Sequence, residues 1–204
     1  MSAFDFEKQL TFYSQYHVNK FNVFVHIVCI PAIVWSALVL LSSSGPLLDI
    51  PTGPLLVQAG LIPTASLALT LLYVAYYILL EPVAGLLYAP ILLAMCGHAT
   101  LFRFSHPDSL SWALYVQLFS WTAQILSHRF AEGRSPAFLD SVVQAFLLAP
   151  LFSFIEILFM LGYRPALQKR LRNDVGLAVS HFRMARAEEK RMAKAKKEQK
   201  SKAQ

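Results

Sequence analysis

The sequence predicts an all-α integral membrane protein with four transmembrane helices, a proline-broken re-entrant hairpin, an N-terminal interfacial helix and a basic C-terminal helix. Three observations predict it. Of 204 residues, 56% are hydrophobic and only 15% charged, against about 25% charged in ordinary soluble domains. Mean hydropathy is +0.48, which argues against a soluble globule and against disorder. The apolar residues also gather into runs close to the ~20 residues that a bilayer-crossing helix needs.

Taken in order, residues 1–22 form the interfacial helix. Phe6, Leu10, Tyr13 and His17 recur at i, i+4, i+7 and i+11, one helical face, so the segment is expected to lie on the bilayer. No short apolar core precedes a small-residue cleavage site, so the first span is expected to act as an uncleaved anchor. That span is Val23–Leu41, closed by Ser42-Ser43-Ser44-Gly45-Pro46. The second is Leu55–Leu80, starting near Pro63, and Glu81-Pro82 interrupts it. The third is Val83–Phe102 and the fourth Leu110–Leu126. A fifth apolar stretch, Ala137–Leu161, contains Asp140, Gln144, Pro150 and Glu156. Pro150 removes a backbone donor mid-segment, and the polar side chains make a full crossing costly. A re-entrant hairpin bent at Ala149-Pro150 is therefore expected, with five spans as the alternative. Residues 23–163 then form the membrane domain and 164–204 a basic tail.

Net charge is +6, but residues 164–204 alone carry 13 of the 18 Lys and Arg and 4 of the 12 Asp and Glu. The body is slightly acidic, so the basic balance gives no ground for nucleic-acid binding. Four crossings place Lys8, Lys20, Arg129, Arg134 and the tail on the cytosolic side, leaving only Arg103 opposite. Cys29 and Cys96 lie in apolar runs and read as buried, inert thiols.

Ionisable groups at membrane depth usually face a bundle interior, which makes the histidines informative. His26 follows His17 by nine residues, ~180° apart on a continuous helix. A break is needed for the rings to meet, and Asn19 and Asn22 supply it, with Asn22 as N-cap of a helix from Val23. Gln117, Trp121, Gln124, His128 and Glu132 form a polar stripe at i, i+4, i+7, i+11 and i+15 that should face inward. Gln124 and Glu132 stand a turn either side of His128 and are placed to orient its ring. With four crossings, His17, His26 and His128 converge near one cytosolic-facing end. Three neutral imidazoles suit Fe, Zn, Cu or Mn, and Glu132, Asp140 or Glu156 is placed to add a carboxylate. The competing reading of the stripe is polar packing between helices. His98 belongs to the opposite membrane side and to local hydrogen bonding. His106 and His181 read as solvated.

The segment Phe12-Tyr13-Ser14-Gln15-Tyr16-His17-Val18-Asn19-Lys20-Phe21-Asn22-Val23-Phe24-Val25-His26 resembles a pattern FY-x-x-YH-x-N-x-x-N-x-x-x-H. Trp121, Gln124, His128, Glu132 and Pro136-Ala137 resemble a second, W-x-x-Q-x-x-x-H-x-x-x-E-x-x-x-PA. Asp140, Val143-Gln144-Ala145, Leu148-Ala149-Pro150-Leu151-Phe152 and Glu156 resemble a third. All three are patterns of the fungal endoplasmic-reticulum family named for the metabolism of phytosphingosine to odd-numbered fatty acids. The resemblance covers most of residues 8–165 and is weakest across 45–110.

The resemblance implies an Fe(II)-dependent dioxygenase of the endoplasmic-reticulum membrane. It would act on long-chain 2-hydroxy fatty acids with dioxygen and shorten them by one carbon, an α-oxidation step in phytosphingosine breakdown. Carried over residue by residue, it makes His17, His26 and His128 the iron ligands. Gln124, Glu132 and Glu156 match the motifs without an assigned role; Gln124 is expected at the substrate, Glu132 and Glu156 behind the ligands. Arg129 and Arg134 are the candidate cations for the substrate carboxylate, beside their ordinary role as flanking positive charge. The last residues, Lys200-Ser201-Lys202-Ala203-Gln204, resemble a dilysine retrieval signal. The rival to an enzyme is a lipid-binding or scaffold membrane protein with structural histidines. A diiron desaturase is disfavoured because no HxxxH or HxxHH pair occurs.

Overall fold

The computed structural model describes residues 5–133 and 144–202. Every regular element among them is helical: α1 (Phe6–Ser14), α2 (Lys20–Leu41), α3 (Pro54–Gln58), α4 (Ala65–Leu80), α5 (Pro82–Ser105), α6 (Ser109–Ser127), α7 (Ala149–Met160) and α8 (Pro165–Lys202). Two π-helical turns, His128–Glu132 and Gln144–Leu148, flank the undescribed stretch. Asp140, Arg134 and the Pro136-Ala137 pair lie outside the described residues.

The helices bury one face each, at helical spacing. On α5 that face is Ala84, Tyr88, Leu92, Cys96 and Ala99; on α4 it is Ser66, Thr70, Tyr73, Tyr77 and Leu80. The opposite faces are apolar and outward, with Leu79, Leu86, Leu118 and Phe119 all at least 60% exposed. A helix apolar all round belongs in a protein core or in lipid. α2 is central, packing against α4, α5, α6 and α7. Two helices, Lys20–Ser44 and Pro82–Ser105, are long and apolar enough to cross a membrane. Of the other two expected spans, α4 has 16 residues and α6 has 19, but serines and glutamines make α6 less apolar.

The fifth stretch departs from expectation. No sharp bend falls at Ala149-Pro150; the helix runs from Phe146 to Met160, and a 117° turn comes between it and Pro165. Pro150 sits in the first turn of α7, where its missing N–H has no helical partner to lose. The irregular backbone before it is satisfied by α4. Tyr73 Oη donates to the Phe146 carbonyl (2.7 Å) and Tyr77 Oη to the Leu147 carbonyl (2.8 Å). Non-helical backbone at membrane depth survives only with such internal partners.

Two further expectations change. The apolar face of α1 is covered by protein instead of bilayer: the Phe6 and Tyr13 rings lie 6.3 and 5.3 Å from that of Phe152 on α7. The basic tail, expected as a separate segment, is helical from Pro165, and its first turns pack against the body through Leu167, Leu171 and Val175. Ion pairs fasten it: Arg170 reaches Glu7 on α1 (2.9 Å), and Arg164 reaches Glu81 at the α4–α5 break (2.6 Å). Tyr163 Oη donates to the same Glu81 carboxylate (2.9 Å).

α5 approaches the turn after α3 so closely that a Cβ on Gly97 would stand 2.1 Å from the Ala59 carbonyl oxygen. A Cβ on Gly176 of α8 meets nothing within 4 Å. Gly97→Ala should therefore destabilise the protein by about 1–3 kcal/mol through overpacking. Gly176→Ala should stabilise it by about 0.5–1 kcal/mol through helix propensity. Thermal unfolding in detergent measures both; equal midpoints would contradict the packing.

Candidate metal centre

His17, His26 and His128 meet in space, although 111 residues of chain separate the first from the last. Their ring centroids form a near-equilateral triangle, with sides of 4.4, 4.8 and 4.9 Å and interplanar angles of 71–81°. One ligand nitrogen from each lies within 4.8 Å of the others. All three are buried, at 8%, 5% and 2% exposure.

The local fold explains the convergence. α1 ends at Ser14, and the chain turns through Gln15–Asn19 before α2 begins. The break sits one turn earlier than expected: the N-cap of α2 is Asn19, whose Oδ1 accepts from Phe21 N–H (2.9 Å). Asn22 is therefore inside α2 and wholly buried. Its Oδ1 accepts from Ser127 Oγ on α6 (2.6 Å), and its Nδ2 donates to Glu132 Oε1 (3.1 Å) and more distantly to the Tyr16 carbonyl (3.4 Å). It joins the two chain segments that carry the triad.

Glu132 was expected beside the His128 ring. It lies instead across the junction, where its Oε1 accepts from Val18 N–H and Asn19 N–H, both at 2.8 Å, besides Asn22. These are charge-assisted bonds to otherwise orphaned helix-start amides. The π-helical turn that follows α6 carries His128 at its head and Glu132 at its end. Such turns carry no sequence signature and are frequent at functional sites.

Two rings have an assigned tautomer. His17 Nδ1 donates to the Tyr13 carbonyl (2.8 Å) and His26 Nδ1 to the Asn22 carbonyl (2.9 Å). With Nδ1–H committed, Nε2 is the lone-pair atom on each ring, as second-shell carbonyls enforce in metal-bound histidines. Tyr13 stacks on His17 at 3.9 Å. Burial, aided by the Glu156 carboxylate, pushes its phenol well above its usual range, so it remains a neutral cover on the ring. Three buried imidazoles so close together cannot all be protonated, and neutral imidazoles are the donors that borderline divalent metals take. The donor set fits a metal ion.

An apolar cavity of about 190 Å³ opens from the triad between α2, α4, α6 and α7. Gln117, Trp121 and Gln124 line it with His128, as the polar stripe predicts. Gln117 Nε2 donates to the Ile33 carbonyl and Trp121 Nε1 to Gln117 Oε1, both at 2.9 Å. Buried Gln124 Nε2 has no hydrogen-bond partner among the described residues. An orphaned buried donor in a cavity wall is a position for a ligand oxygen.

Other expected residues lie elsewhere. Arg129 is exposed and lines neither the triad cavity nor the groove beside α8. Glu156 lies in that groove on α7, behind Tyr13. His98 accepts from Trp35 Nε1 (2.9 Å) in the third span, and His106 stacks on Phe102 at 4.5 Å. His98 is thus held locally and His106 is exposed, each as expected. The cysteines are buried and free.

The profile of the Mpo1-like family, described as 2-hydroxy-palmitic acid dioxygenase Mpo1-like, matches residues 3–161. This chain belongs to that family. The 2-hydroxy-palmitic acid dioxygenase MPO1 of Saccharomyces cerevisiae is 32% identical over 186 residues, spanning 89% of this chain and 96% of that protein. No solved structure matches. The profile match ends as the fifth stretch ends, whereas the alignment with the yeast relative, which covers 89% of this chain, extends into α8.

Because Glu132 bonds to the junction and not to a ring, its loss should loosen the triad without removing a donor. Glu132→Gln should weaken binding of Co(II), read from its visible spectrum, by about 10–100-fold. Affinity equal to the unmodified protein would show that the junction holds itself.

Proposed function

We propose that the protein is an Fe(II)-dependent dioxygenase that shortens long-chain 2-hydroxy fatty acids by one carbon, with His17, His26 and His128 as the iron ligands. The observation that carries the reading is the buried, mutually perpendicular triad at the mouth of an apolar cavity, in a chain of the Mpo1-like family. The MPO1 relative's name supplies the substrate class. Iron, bound there, supplies a Lewis-acid docking point and the means to use dioxygen, an oxidant that side chains alone do not activate.

The chain's own residues do the rest. The His17 and His26 rings are held by backbone carbonyls, so their lone pairs need no reorganisation to serve as donors. Gln124 Nε2 is the donor for an oxygen of the hydroxy acid. Ile30, Val34 and Tyr73 line the cavity that takes the acyl chain, and the same apolar wall keeps water from the reacting carbon. Arg134 remains a candidate for the carboxylate; Arg129 is less suited, being exposed and outside the cavity lining.

We further infer four crossings, by α2, α4, α5 and α6, with the triad, the start of α2, the end of α6 and α8 on the cytosolic side of the endoplasmic-reticulum membrane. The start of α2 and the end of α6 meet at the triad, as an up-down order of four spans requires. α7 then returns past the same end, and the basic α8 satisfies the positive-inside rule.

Protein loaded with Fe(II) should consume dioxygen with 2-hydroxypalmitate and yield a C15 product. His17→Ala, His26→Ala and His128→Ala should each abolish turnover, and Gln124→Leu should raise KM roughly tenfold, the loss of about one hydrogen bond to a charged group. His181→Ala should match the unmodified enzyme. Activity retained in all three triad variants would end the ligand assignment. For topology, a glycosylation acceptor fused after Gln204 should stay unmodified, whereas one placed in the loop around Asp49 should be glycosylated; the reverse pattern would invert the protein.

A further inference from the structure

A second cavity reaches the triad from the other side. It is a groove of about 1090 Å³ between the start of α2, the end of α7 and the first half of α8. Its floor is apolar, with Val23 and Ile27 from α2, Phe159 from α7, and Leu171 and Val175 from α8. Lys20, Arg172 and Arg183 also line it, against a single carboxylate, Glu156, on which the Arg172 charge acts. His17 lines both this groove and the triad cavity. The groove therefore ends at a ring of the metal centre. α8 is fastened on either side of it, through Arg170 to Glu7 and through Arg186 Nη1, which donates to the Gly133 carbonyl (2.6 Å).

We propose that this groove is a binding site for a single-chain long-chain carboxylic acid on its way to or from the triad, with Arg172 and Arg183 holding the carboxylate and the floor holding the chain; this rests on the substrate class proposed above. The charge favours an anion, since three cations face one carboxylate. The floor demands an apolar chain, and continuity with His17 gives the site a destination. Guanidinium groups match the geometry of a carboxylate, which an uncharged lipid cannot offer. Arg172 and Arg183 would thus select acids from the many uncharged lipids that the exposed ring of Phe24, at the groove's edge, meets in a bilayer.

The probe is hexadecanoic acid, which lacks the 2-hydroxyl group, with methyl hexadecanoate as its uncharged counterpart. The full chain, metal-stripped and held in phosphatidylcholine nanodiscs, should bind the acid above empty discs and bind the ester weakly. Arg172→Gln with Arg183→Gln should weaken acid binding about tenfold, the loss of roughly one charge-assisted contact, and leave the ester unchanged. Gly176→Trp fills the groove from a position with no neighbour within 4 Å; it should abolish acid binding while thermal unfolding remains cooperative. His128→Ala, outside the groove, should bind the acid as the unmodified protein does. The site is refuted by any of four results: no binding by the unmodified protein, equal binding by the arginine and Gly176→Trp variants, loss of binding in His128→Ala, or displacement of the acid by phosphatidate at lower concentration than by hexadecanoate itself. Absent turnover with groove binding intact would sink the dioxygenase reading alone.

Discussion

One oxygen, Oε1 of Glu132, accepts from three N–H donors on the chain between His17 and His26. On that contact the histidine triad depends. Left as a continuous helix, the nine-residue spacing sends the two rings to opposite faces. The chain must stop being helical between them, and stopping exposes amide donors that cost free energy if buried unmet. A carboxylate meets several at once and is stronger than a neutral acceptor. Because Glu132 ends the same turn that His128 begins, satisfying the break also fixes the distance between the first two histidines and the third. Asn22 and Ser127 repeat the linkage half a turn deeper, at 2.6 Å.

What the sequence revealed here follows from periodicity. The face of α1 through Tyr13, the stripe of Gln117, Trp121, Gln124 and His128 and the helices between them are all repeats near 3.6 residues, and the structure contains them, with α1 ending at Ser14 before His17. Tertiary choices were illegible. Asn19 and Asn22 stand three residues apart, and either suits an N-cap; only Ser127 and Glu132, more than 100 residues away, decide that Asn22 belongs inside the helix. The π-helical turn left no trace in residue types, so Glu132 looked like a neighbour of the His128 ring. Leu167, Leu171 and Val175 do recur at i, i+4 and i+8. That short apolar stripe, set in a tail dominated by charge, docks α8 on the body. Pro150 was ambiguous by nature, since proline breaks a helix from within and begins one at its first turn.

The polar residues that looked costly in a bilayer are mostly accounted for by hydrogen bonds inside the protein. Ser36 and Thr70 return their hydroxyls to carbonyls a turn back, and Ser42 meets Thr100 between α2 and α5. Tyr73 and Tyr77 quiet the backbone carbonyls of the second π turn. Against this background, the Gln124 amide in the cavity wall has no partner among the described residues, as is also true of the Ser14 and Thr64 hydroxyls away from that cavity.

Under the proposed topology and groove, the basic tail has two tasks that do not conflict. Positive charge outside the membrane fixes which side α8 occupies, and any sequence rich in Lys and Arg would do that. Only a helix returning to the body places particular cations over a particular groove. Arg170 and Arg186 are spent on holding α8 down, through Glu7 and the Gly133 carbonyl. Arg172 and Arg183 lie between those fastenings and line the groove that ends at His17. The triad lies within residues 3–161, which the family's profile matches, while Arg172 and Arg183 come from α8, beyond that profile although the alignment with the yeast relative extends into this helix. The triad and the groove's cations thus sit on different elements of the chain, and His17, which lines both cavities, is where the two meet.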